Sequence, residues 1–173
     1  MGMIYLFRGM PACGKTTITN LLSQDMNINV IRKDDIFDKV YECLSDRKSI
    51  NILTYNIMSS LLQTQINNNN DCIIDAGLTT KSSYYEFIKK IDLKNNKLVS
   101  FLCVCSDKQE WKSRIEQRVK NPLPHQPYKD FDELISSYNE NDLGCLNNEI
   151  ILDSSEKLTL LFEKTIKAIK NYS

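Results

Sequence analysis

Apolar residues along this chain fall into two spacings that take turns. Near-continuous apolar runs at Met3–Phe7, Cys72–Asp75, Leu98–Cys105 and Glu149–Leu152, and a short segment at Asn27–Ile31, predict strands. Runs without polar alternation belong to strands covered on both faces, as in a parallel sheet. Between them the apolar residues recur every three or four positions, the spacing of helices with one buried side. That spacing predicts helices over Lys15–Ser23 (Ile18, Leu21 and Leu22 inward), Ile36–Ser45 and Ile50–Ile66, the last with Leu53, Ile57 and Leu61 on its buried stripe. It predicts others over Thr80–Ile91, after a cap at Ser106 or Asp107 (Trp111, Arg114, Ile115, Arg118), over Phe131–Tyr138 and over Glu156–Tyr172. Alternating strands and helices with short connections build an α/β fold of three layers, a five-stranded parallel sheet with helices on both faces.

The polar stretches mark the joints. Asn67–Asn70 reads as a turn, and Asn121–Asp130, with Pro122, Pro124, Pro127 and the only histidine, His125, cannot continue a helix. A length of 173 residues suits one domain spanning 1–173, with a lid over about 107–130 inside it. Twenty-two basic and 22 acidic residues cancel, so bulk charge does not draw the chain to nucleic acid. No apolar run approaches the roughly 20 residues of a membrane span, and Met3–Phe7 leads straight into a loop rather than a cleavage site. The expectation is a cytoplasmic protein without a membrane partner, monomeric or homodimeric. Six cysteines without a C-x-x-C pair, and one histidine, do not make a zinc site. Cys72, Cys103 and Cys105 read as buried thiols, and Cys13 as a thiol open to oxidants or alkylators.

Cys13 lies in the stretch that gives the chain its chemistry. Gly9-Met10-Pro11-Ala12-Cys13-Gly14-Lys15-Thr16 fits G-x-x-x-x-G-K-[ST] between a strand and a helix. This is the phosphate loop of P-loop NTPases, and with it the sheet becomes a P-loop NTPase fold with a helical lid. The glycines allow the turn, and the backbone N–H groups from Gly9 to Thr17 converge on an anion. Lys15 reaches the outer phosphates of a nucleotide, and the Thr16 hydroxyl suits Mg²⁺.

Other candidates sit where strands end. Asp34 and Asp35 follow the second strand. Either caps the next helix, or one faces an acceptor hydroxyl as a base. Asp75 ends the third strand and suits a Walker B carboxylate that holds Mg²⁺ through water; the plainer reading is an Asp satisfying loop amides. Gly77 lets a substrate or the backbone approach closely. Arg114 and Arg118, four apart on one helix face, suit a cover that neutralises triphosphate, or else pair with Glu110 and Glu116. His125 is a substrate-facing residue of the lid tip or a structural one.

Taken in order, Gly9–Thr17, Arg32-Lys33-Asp34-Asp35, Asp75-Ala76-Gly77, Arg114 with Arg118, and Ile151-Leu152-Asp153-Ser154-Ser155 resemble the small P-loop kinases of the polynucleotide-kinase and zeta-toxin type. These are related to nucleoside monophosphate, shikimate, gluconate and chloramphenicol kinases. The resemblance covers almost the whole chain. It implies ATP and Mg²⁺ as cofactors, Asp34 as the base, Arg114 and Arg118 as triphosphate clamps, and Ser154 and Ser155 beside the adenine. Phage polynucleotide kinases carry an arginine shortly after the Asp pair; here Ile36 and Phe37 stand there. That difference favours a small, partly apolar alcohol, chosen by residues between Phe37 and Ile66 and near His125. A nucleic-acid or nucleoside 5′-hydroxyl acceptor and a non-catalytic nucleotide-binding protein stay as alternatives. A GTPase would need an N-K-x-D that the sequence lacks.

Overall fold

The computed structural model describes residues 1–138 and 140–172. Its sheet holds β1 (Met3–Arg8), β2 (Asn29–Arg32), β3 (Cys72–Asp75), β4 (Lys97–Val104) and β5 (Ile150–Asp153). All pair in parallel, in the order β2-β3-β1-β4-β5. Around them lie α1 (Lys15–Met26), α2 (Lys33–Tyr41), α3 (Arg47–Asn67), α4 (Lys81–Ile88), α5 (Lys108–Arg118), α6 (Phe131–Ser136) and α7 (Leu158–Tyr172). Among the described residues no helix is long and apolar enough to cross a membrane.

Strand β1 is central and buried along its whole length. Successive strand residues point to opposite faces, so β1 divides the core in two. Tyr5 and Phe7 pack with Ile18 and Leu22 of α1 and with Leu161 and Ile169 of α7. Ile4 and Leu6 pack with Met58, Leu62 and Ile66 of α3 and with Phe87 of α4. The alternation carries on to Arg8, whose side chain is fully buried on the α3 and α4 side. There its guanidinium makes two 2.7 Å bonds to Glu149 and donates to the carbonyls of Leu78, Thr79 and Gly144. A buried arginine is tolerated because its donors are engaged.

Two local expectations shift. Helix α2 starts at Lys33 rather than Ile36, so Asp34 and Asp35 occupy its first turn, and no side chain caps it. Carboxylates there favour the helix through its N-terminal partial positive charge. Helix α3 starts at Arg47, after Asp46 caps it by accepting from the Ser49 N–H. Its buried stripe is Ile50, Thr54, Met58, Leu62 and Ile66. The expected stripe is turned away: Leu53 is 40% and Leu61 46% exposed. Both stripes have a four-residue period, and the deciding contact is with Ile4 and Leu6, which spacing alone does not show.

Over the phosphate loop, Ile115 of α5 clusters with Ala12, Tyr128 and Leu134. Trp111 donates its indole N–H to the Pro11 carbonyl at 2.8 Å and meets Phe131 edge-on at 5.0 Å.

Candidate active site

The loop from Gly9 to Thr16 leaves β1 and enters α1, and its bends explain its composition. Gly9 has φ +135°, and a Cβ there would lie 2.2 Å from the Cys103 carbonyl oxygen. Gly14 has φ +80° and caps α1, and a Cβ would meet Ser154 at 2.9 Å. Ala12 also holds a positive φ of 61°, a conformation costly for a residue with a side chain. The Lys15 ammonium donates to the carbonyls of Gly9 and Met10, at 3.0 and 2.9 Å. Cys13 is buried in the α1–α7 core, and burial pushes its thiol up to about 11. The expectation of a reactive Cys13 therefore fails; the exposed thiols are Cys43 and Cys145.

Because β3 neighbours β1 with Phe7 opposite Asp75, the ends of both strands share one edge. The loops beyond are joined by Ala76 N–H to Phe7 O and Gly9 N–H to Gly77 O, each 3.0 Å. Asp75, 4% exposed, accepts from the Thr16 hydroxyl at 2.9 Å, the Thr19 hydroxyl at 3.3 Å and Arg32 Nε at 3.0 Å. Its partners are side chains, not the loop amides of the plainer reading. A hydroxyl and a carboxylate are hard oxygen donors that fit Mg²⁺. Among the described residues there is no group of three or more His, Cys, Asp or Glu that could hold a metal. The pair thus suits an ion that takes most of its ligands from phosphate and water. Arg32 and Thr19 had no role in the sequence reading; Arg32 was visible only as part of the Arg-Lys-Asp-Asp run.

A cavity of about 360 Å³ opens in front of this edge. The phosphate loop, Asp75 and Gly77 form one wall, and Asp34, His125 and Tyr128 form another. Asp34 is 43% exposed and lies 3.5 Å from both Lys33 Nζ and His125 Nε2. The other ring nitrogen of His125 lies 2.9 Å from Asp38, which also accepts the His125 backbone N–H. His125 is therefore wedged between two carboxylates and ties the proline loop to α2. Asp35 does not line the cavity; it is 71% exposed and paired with Arg32 at 3.2 Å. Tyr55 lines the back, where burial raises its hydroxyl to about 12. Lys33, Arg47 and Asn51 also line the cavity; Lys33 was visible only within the Arg-Lys-Asp-Asp run, and Arg47, Asn51 and Tyr55 only as members of the stretch between Phe37 and Ile66. Arg47 carried one signal, a cation at the start of a helix, where the backbone already presents positive charge.

A second cleft, of about 610 Å³, lies on the far side of the loop between α5 and the turn after β5. Ser154, Ser155 and Leu158 line it, as do Arg114 and Arg118. The two arginines share a face as expected, but their surroundings differ. Arg114 donates to the Ala12 carbonyl, to the Ser154 hydroxyl and carbonyl, and to Glu110. It is a strap between the phosphate loop and the turn, with the Glu110 pairing of the plainer reading. Arg118 is exposed and lines both cavities. Ser155 is engaged with Asp153 and with Ser106.

Residues 4–139 match a protein family described as an AAA domain. No curated protein matches the chain in sequence. Among solved structures, the chain is similar to a gluconokinase from Sinorhizobium meliloti (TM-score 0.67, 10% identity, 99% of this chain and 93% of that one). It is similar to the Mycobacterium tuberculosis APS kinase CysC in complex with AMPPNP and APS (TM-score 0.65, 11% identity, 98% and 96%). It is also similar to Chaetomium thermophilum Kti12 in complex with ADP-AlF3 (TM-score 0.68, 14% identity, 96% and 98%). At such identities the likeness is one of fold. Sheet order, phosphate loop and family match agree: the chain belongs to the AAA-domain family and carries its phosphate loop in a P-loop fold.

Proposed function

We propose that the protein transfers the γ-phosphoryl group of ATP to a hydroxyl of a small-molecule acceptor. The observation that carries this is the shared cavity: the phosphate loop, Asp75 and Asp34 face one space, and Arg118 joins it to the second cleft. In this reading the whole chain acts as one unit, with residues 107–130 as its lid. The nucleoside lies in the cleft beside Ser154 and Ser155, and the triphosphate runs along the loop amides of Gly9 to Thr17.

Lys15 exchanges its carbonyl partners for the outer phosphates. Thr16 and Asp75 would hold Mg²⁺, which would supply neutralisation of the phosphate charge when bound. Asp34 accepts the proton of the acceptor hydroxyl as the new P–O bond forms and the bond from the γ-phosphorus to the β-phosphate oxygen breaks, leaving ADP. Asp34 suits this role better than Asp35, which faces solvent. Arg118 meets charge on the transferred group, and Arg114 holds the loop against the turn. Gly77 and His125 border the acceptor.

The test is ATP consumption with product mass over nucleosides, oligonucleotide 5′ ends, amino sugars, chloramphenicol-like alcohols and polyols. A product heavier by one phosphoryl group is expected, with turnover lowered about 10²–10⁴-fold in Asp34→Asn and thermal stability unchanged. Nucleotide binding without transfer to any acceptor refutes the reading and favours a nucleotide sensor. An equal loss of stability in the variant would return Asp34 to a purely structural role.

A further inference from the structure

The acceptor side of the cavity carries more positive charge than phosphoryl transfer uses. Lys15, Lys33, Arg47 and Arg118 line it, against Asp34 and Asp75. In the proposed reaction Lys15 and Arg118 face ATP. Asp75 already has Arg32 at 3.0 Å, and His125 lies between Asp34 and Asp38. Lys33 shares Asp34 at 3.5 Å. Arg47 is left over: among the described residues it has no carboxylate partner, and one of its N–H groups donates to the Pro124 carbonyl at 2.9 Å.

The surroundings of this charge are those of a binding surface. Arg47, Asn51 and Tyr55, at successive four-residue steps of α3, all line the cavity. One helix face thus offers a guanidinium, an amide and a phenol to the same space. Beneath them Phe37 is fully buried, with Lys33 Nζ 4.2 Å and Arg47 Cζ 5.0 Å from its ring centre. Lys33 is only 12% exposed, and burial lowers its pKa. Two cations over an apolar floor attract an anion more strongly than two in water. A guanidinium fork beside an ammonium suits the several oxygens and double charge of a phosphate monoester.

We propose that Arg47 and Lys33 form an anion subsite that holds a phosphate-class group of the acceptor while Asp34 addresses its hydroxyl. The role of Asp34 rests on the phosphoryl-transfer reading; the subsite itself does not. The acceptor is then a phosphorylated alcohol, not the partly apolar one expected from Ile36 and Phe37. The cation absent after the Asp pair enters from α3, and Phe37 serves as its support.

The test is calorimetric titration of inorganic phosphate into the full chain saturated with Mg²⁺ and AMPPNP, so that the phosphate loop is filled. One phosphate per chain is expected, weakened about tenfold or more in Arg47→Gln and in Lys33→Gln. Circular dichroism and melting confirm that the variants are folded, and Arg47→Lys should fall between wild type and Arg47→Gln. No phosphate binding, or equal affinity in both Gln variants and wild type, overturns the subsite. On the acceptor panel extended with the phosphate monoesters of its nucleosides, amino sugars and polyols, the phosphorylated alcohols should show KM values about tenfold or more below their unphosphorylated parents, and Arg47→Gln should erase the difference. Equal use of both forms overturns the assignment to the acceptor. Failure to bind AMPPNP instead defeats phosphoryl transfer. Titration of Lys15→Ala protein then decides the subsite by itself, which stands if phosphate binding still depends on Arg47 and falls if it does not.

Discussion

Replacing Glu149 should be among the most destabilising single changes in the molecule. The side chains of Arg8 and Glu149 are both shielded from solvent and are joined by two 2.7 Å bonds. Glu149 also accepts from the Ser100 hydroxyl at 2.8 Å and the Leu146 N–H at 2.9 Å. Glu149→Ala strips a buried guanidinium of its counter-charge, which costs about 3–5 kcal/mol. For a chain of this size that lowers Tm by roughly 6–20 °C. Urea and thermal unfolding of the full chain measure it. Arg8→Met/Glu149→Leu, which removes both charges, should recover much of the loss in a double-mutant cycle. A loss under about 1 kcal/mol for Glu149→Ala, or a double variant no better than the single one, would refute the reasoning.

The pair also sets an acid limit. Burial alone would raise the Glu149 carboxyl, but hydrogen bonds from Arg8, Leu146 and Ser100 outweigh it and hold the pKa below the ordinary 4.5. A depressed carboxylate contributes stability above its unfolded pKa and loses it as pH falls through the folded one. Wild type should therefore lose stability below about pH 4.5, and Glu149→Gln should lack this part of the acid dependence.

Three further outcomes follow from the packing. Met58→Ala, in the α3 core, should cost about 2–5 kcal/mol, while Leu61→Ala, on the exposed side, should cost less than about 1 kcal/mol; urea unfolding compares them. Alkylation of the native protein near neutral pH, read by mass, should modify Cys43 and Cys145 and spare Cys13, whose buried thiol is pushed up to about 11. Gly9→Ala should abolish nucleotide binding in calorimetry, since its Cβ would lie 2.2 Å from a backbone oxygen of β4.

The fold was legible because its strands are unusually plain. Met3–Phe7 and Cys72–Asp75 are apolar runs with sharp ends, and the structure places strands there to within one residue. The phosphate loop was legible because two of its positions admit only glycine. What escaped depends on contacts between distant segments. The stripe of α3 could not be assigned because Leu53 and Ile50 begin equally regular series, and only packing on Ile4 and Leu6 separates them. Arg47 lies 13 residues past Asp34, and its arrival in the same cavity depends on the turn between α2 and α3. Arg8 was likewise concealed: its partner Glu149 is 141 positions away.

The lone tryptophan of the chain gives the molecule an optical property. Its indole is bonded to the phosphate loop at Pro11 and rests against Phe131 at the far end of the proline segment. Indole emission follows the polarity and hydrogen bonding of its surroundings, so a change in the loop, in α5 or in α6 alters one and the same signal. The protein thus contains a native fluorophore bonded to the loop that borders both cavities, and ligand occupancy can be followed in unlabelled wild-type protein by intensity and colour.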